Sequence, residues 1–203
     1  MQLKAYLLLL TVTFLGVSQL NPLFPREQWL QHTPTAIAIC VLAYDIRKNW
    51  LTRSAYLCVI AFLWLHILGA RYIYSCVPYD AWYAKIFGVT LSQVFGFERN
   101  HYDRLVHFLF GWLMLLASTS IIGRSGSIRG TWNLCFAFCV VTTFSGVYEV
   151  FEWFLTIVMA SHDAIAYNGQ QGDNWDAQKD MGLAILGSLL ALPFARLMRS
   201  PLR

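Results

Sequence analysis

Asp103 and His107 stand four residues apart in RNHYDRLVHFLFGWLM, Arg99 to Met114, where polar residues give way to lipid-like ones. On a helix that spacing projects a carboxylate and an imidazole from one side, which are the groups of an acid–base pair or of a metal ligand set. Gly111 and Ser118 continue that side with small residues. Asp103 also suits the first turn of a helix, where a carboxylate is favoured, and Asn100 is placed to cap it. His107 lies deeper and has no such structural role.

Three further stretches carry similar groups. Thr142, Ser145, Glu149, Glu152 and Thr156 recur at three- and four-residue steps and make a polar stripe on a greasy helix. In GQQGDNWDAQKDMG, Asp176 and Asp180 share one side, which Ala184, Gly187 and Ala191 extend with residues small enough for another helix to approach closely. LHILGARYIYSCVPYD adds His66, Arg71, Tyr72 and Tyr74. Imidazole and carboxylate suit a divalent metal, with His66, His107, Glu149 and Glu152 as its expected ligands. Without metal, the expected catalytic groups are Asp103, His107, Glu149, Glu152 and Asp180, a protonated glutamate acting as general acid and His107 as base. Arg71, Arg99 and Arg104, with Tyr74, Gln171 and Asp176, would then hold a substrate head group.

These groups must be positioned by membrane helices. The 203 residues are 57% hydrophobic and 13% charged, about half the charge of an average soluble domain, and the mean hydropathy is +0.49. Long apolar runs between short polar loops indicate an all-α, polytopic transmembrane bundle of one domain, because a helix satisfies its own backbone in lipid. Six spans are expected, at 4 to 20, 29 to 44, 51 to 70, 104 to 122, 132 to 160 and 180 to 198. The count becomes five if the second, interrupted by Pro34, does not cross, or if the first, which also resembles a signal peptide with Lys4, Gly16 and Ser18, is cleaved. Arg47, Lys48, Arg53, Arg124, Arg129, Arg196, Arg199 and Arg203 lie in alternate connections and the tail, which places those ends and both termini in the cytoplasm. The four polar stretches then all fall at the outer end. The basic residues form no stripe, so nucleic acid is not an expected partner, and membrane lipid is. The five cysteines form no CxxC or disulfide framework.

HILGARYIYSCVP, RNHYDRLVHFLFG, YEVFEW and QGDNWDAQKDM together closely resemble the YjdF-type family of uncharacterised bacterial inner-membrane proteins, over roughly residues 45 to 195. The last three spans are also distantly similar to VanZ-like membrane proteins. These likenesses imply a bacterial inner (cytoplasmic) membrane location and a cell-envelope role, without a reaction. Three functions fit the residues: an enzyme or binding site for an envelope amphiphile, a proton-coupled transporter, or an accessory protein whose polar cluster locks the bundle. Against transport, the cytoplasmic halves of the spans are almost wholly apolar. Rhomboid GxSG, HExxH and Walker A motifs are absent.

Overall fold

The computed structural model describes residues 2–158 and 170–197. Its helices are α1 (Gln2–Ser18), α2 (Pro25–Lys48), α3 (Arg53–Arg71), α4 (Tyr79–Phe87), α5 (Leu91–Phe95), α6 (Tyr102–Ser125), α7 (Gly130–Val158) and α8 (Asp176–Leu197). Four of them, α3, α6, α7 and α8, are long and apolar enough to cross a membrane, and α1 is a shorter apolar helix. Of the six expected spans, the last four thus coincide with α3, α6, α7 and α8, the first with the shorter α1, and the second with α2, which does not meet the same standard.

The reason lies in the polar residues that α2 carries on its inward face. Of its seven buried residues, Glu27, Gln28, Gln31, His32, Thr35, Leu42 and Asp45, only Leu42 is apolar, whereas Trp29, Ile37, Val41 and Tyr44 are exposed. These polar residues lower the average hydropathy of the helix, which turns them into the bundle and its apolar ones outward. Pro34 lies within the helix rather than ending it, so the expected segment 29 to 44 lengthens at both ends.

The six longer helices form two groups of three. α1, α2 and α3 pack on one another, as do α6, α7 and α8, and α3 against α6 joins the groups. Among the described residues, the α7 backbone does not come within 8 Å of that of α2 or α3, Cα to Cα. The α6–α8 pair is the tightest. An ideal Cβ on Gly111 would stand 2.0 Å from the Ala184 carbonyl oxygen, and one on Gly187 would stand 2.0 Å from that of Phe108. Ser188 Oγ donates to the Gly111 carbonyl at 3.1 Å. The small-residue sides read on both segments thus meet each other.

The connection at 71 to 103 contains α4 and α5. Thr90 and Gln93 form a capping box, and Gly88 and Gly96 end the two helices in the left-handed conformation. At the opposite end of the bundle, Lys4 Nζ donates to Asp45 Oδ2 at 2.7 Å, Asn49 Oδ1 at 2.9 Å and the Leu51 carbonyl at 2.7 Å. All three ammonium hydrogens are used, in a buried pair that ties α1 to the end of α2.

Candidate functional site

α6 begins where Asn100 Oδ1 accepts the Tyr102 N–H at 3.0 Å, while His101 occupies the cap position without a side-chain bond. From the first turns of α6, Asp103 and His107 face α7 and α8. Asp103, His107 and Asp180 each bring one ligand atom within 4.8 Å of the others. His107 Nε2 lies 3.6 Å from Asp103 Oδ1, and its Nδ1 lies 3.6 Å from Glu149 Oε1. Both separations are too long for hydrogen bonds. His107, Glu149 and Asp180 are buried. Glu149 Oε1 and Asp180 Oδ1 have no hydrogen-bond partner among the described residues, a costly state for buried carboxylate oxygens.

The other expected residues are placed differently. Glu152 is half-buried and hydrogen-bonds Tyr148, one turn earlier. Thr142 and Thr156 donate back to carbonyls of their own helix, from Phe138 and Trp153 respectively, so the polar stripe on α7 contributes inward only through its middle. His66 is engaged at both nitrogens, by Tyr74 OH at Nδ1 and by the Gln31 carbonyl at Nε2, 2.9 Å away. It stands outside the Asp103, His107 and Asp180 group.

The arginines are held by acids or backbone. Arg99 donates to Asp176 at 2.7 Å, Arg104 to Asp173 at 2.5 Å, and Lys179 joins Asp173 at 2.6 Å. Lys179, then the Trp175 N–H, hold the Asp173 carboxyl down to about 2. Gln171 exchanges two hydrogen bonds with the Asn100 backbone. These contacts fasten the loop before α8 over the start of α6. Arg71 instead donates to the Ser18 carbonyl at 2.6 Å, at the end of α1.

Tyr74 reaches His66 through an unusual turn. Ile73 and Tyr74 have φ of 47° and 51°, strained values that an isoleucine in particular rarely adopts. The ring lies over Gly69, where a Cβ would come within 2.7 Å of it. Gly69→Ala is expected to expel the ring and destabilise the protein by about 1–3 kcal/mol, read as a lower melting temperature in detergent. An unchanged melting temperature would mean that the ring does not pack there.

A cavity of about 530 Å³ adjoins the group. Asp103, His107, His66, Tyr74 and Tyr148 line one end, and the rest is apolar except Thr35 and Ser145. Sequence reasoning missed Thr35, Tyr148 and His32. His32 is buried beside Ser18 and Gln28 on the inward face of α2, a face that the polar spacing from Gln28 to Asp45 could have revealed.

Residues 3–200 match the family described as "Predicted membrane protein (DUF2238)". The chain belongs to that family. It is 31% identical over 193 residues, 94% of this chain and 86% of the relative, to inner membrane protein YjdF of Escherichia coli (strain K12). No solved structure matches. This member of the DUF2238 family is accordingly a multi-pass inner-membrane protein, and the residues of the group all lie inside the matched segment.

Proposed function

We propose that the protein holds a divalent cation between Asp103, His107 and Asp180, at the outer end of the bundle, and acts there on an envelope amphiphile. The observation that carries this reading is the convergence of three ligand atoms within 4.8 Å beside two buried carboxylate oxygens that lack partners. A zinc-like ion sits about 2 Å from each ligand, which at tetrahedral angles sets ligand atoms about 3.4 Å apart. Closing the group by about 1.5 Å at most therefore suffices. Bound at His107 Nε2, an ion would leave Nδ1 turned toward Glu149, the arrangement in which a carboxylate orients a ligating imidazole. Three protein ligands leave an open position, from which the ion would polarise an oxygen or activate water.

The outer placement rests on the cytoplasmic excess of arginine and lysine, with α1 and α2 crossing alongside the four long apolar helices. At 24 residues, α2 is about 36 Å long, enough to cross.

Metal analysis of the purified protein after equilibration with Zn²⁺ or Mn²⁺ tests the reading. One ion per chain is expected for wild type and almost none for His107→Ala and Asp180→Asn, with affinity lowered about 10–100-fold in Glu149→Gln. Removing an uncompensated acid should leave the melting temperature of metal-free Asp180→Asn unchanged or higher. A metal-free wild type, combined with a large loss of stability in Asp180→Asn, would make the cluster a structural lock instead.

A further inference from the structure

We infer that the cavity between the two helix groups is a lateral slot for one acyl chain of a membrane phospholipid, whose phosphate reaches the Asp103–His107 end. The head-group part of this inference rests on the metal reading above, whereas the acyl chain part stands on the shape and lining of the cavity.

α3 and α6 form the floor, through Val59, Phe62, Leu63, Val106, Phe110 and Met114. The sides come from α2, with Pro34, Thr35 and Ala38, and from α7, with Phe144, Ser145, Val147, Tyr148 and Phe151. Because the α2 and α7 backbones stay more than 8 Å apart, the slot is open between them, and Phe144, Val147 and Phe151 line it while remaining exposed. On a membrane protein that surface meets lipid, so an occupant enters sideways without leaving the bilayer.

Length selects the occupant. Asp103 to Met114 spans about 16 Å along α6 at 1.5 Å per residue, close to half of the roughly 30 Å hydrocarbon core. The slot therefore runs from the membrane surface to the midplane, the depth of one leaflet, and a volume of about 530 Å³ lies within the usual range of ligand cavities. Polarity is graded in the same sense. Ionisable groups and tyrosines stand at the mouth, and Phe110 and Met114 close the deep end.

The test uses the full chain in nanodiscs of phosphatidylethanolamine and phosphatidylglycerol, doped with phosphatidylglycerol carrying a diazirine in mid-chain. Photolysis and peptide mapping are expected to place adducts on Phe110, Met114 and Val59. Ala38→Phe, which fills the slot, and Val147→Trp, which narrows its exposed mouth with little risk to folding, should each reduce those adducts at least fivefold. Val150→Trp, on the exposed side of α7 away from the slot, should leave them unchanged. Adducts confined to outward residues such as Trp153 and Ile157, or insensitive to Val147→Trp in a folded protein, would overturn the slot. Adducts on the floor of a wild type that binds no metal would refute the metal centre and keep the slot. Bound metal without floor adducts would do the reverse.

Discussion

Asp45→Ala is expected to be among the most damaging single substitutions in the protein, at about 3–5 kcal/mol, although it lies at the end of the bundle opposite the candidate site. Removing one partner of a buried ion pair leaves the other charge uncompensated, and that penalty exceeds the net value of the pair. Here the stranded group is Lys4, whose ammonium would retain only the neutral oxygens of Asn49 and Leu51. Asp45 Oδ1 also accepts the Leu51 N–H at 2.7 Å, so the turn from α2 into α3 loosens as well. Lys4→Met strands the carboxylate instead and should cost a similar amount. The double variant Lys4→Met with Asp45→Leu removes both charges together and should recover most of the loss. Unfolding in detergent, followed by helical signal against temperature or SDS, reads all three. If the double variant were as unstable as the sum of the singles, the pair would not be interacting, and the junction of α1 with α2 would need another explanation. Metal content per folded chain should remain that of wild type, because neither residue belongs to the outer group.

That pair shows what sequence spacing does not reveal. Lys4 and Asp45 are 41 residues apart, and nothing local links them. Lys4 is as compatible with the basic start of a signal peptide as with a buried ammonium. Asp103 with His107 and Asp176 with Asp180 were legible because four-residue steps fix a shared helix side before any fold is known. The small-residue sides that carry Gly111 and Gly187 were legible for the same reason, but not that they meet each other. α7 shows where spacing stops being informative. Its polar stripe has helical period, yet period alone does not say how far a stripe lies under a neighbour, and Thr142 and Thr156 satisfy themselves on their own backbone. His66 was visible as a buried imidazole, but its partner Tyr74 arrives through two residues at positive φ, neither of them glycine or asparagine. No residue preference announces such a turn. α4 and α5, by contrast, carried their signals openly in the Thr90–Gln93 capping box and in Gly88 and Gly96.

Gly187→Ala should cost about 3 kcal/mol and also weaken metal binding, although it adds one methyl group far from any ligand atom. The new Cβ would meet backbone, 2.0 Å from the Phe108 oxygen, 3.0 Å from its carbonyl carbon and 3.1 Å from the Trp112 nitrogen. Backbone in a helix cannot move aside as a flexible side chain does, so α6 and α8 must separate, the upper end of the cost of overpacking. Asp180 lies two turns outward from Gly187 on the same side of α8, and His107 one turn outward from Gly111 on α6. Moving the crossing apart therefore widens the space in which the ion would sit. Gly111→Ala makes the mirror-image clash with Ala184 and should behave alike. Combined, the two should cost clearly less than their sum, because separation forced by the first clash relieves much of the second, as expected for coupled neighbours. Gly182, with nothing within 4 Å of an added Cβ, and Gly146, which would meet only Met181 Sδ at 3.8 Å, should accept alanine without loss. Melting temperature and metal affinity measured on these five proteins decide the matter. Full additivity, or an unaffected affinity in a destabilised Gly187→Ala, would mean that the crossing does not set the spacing of Asp103, His107 and Asp180.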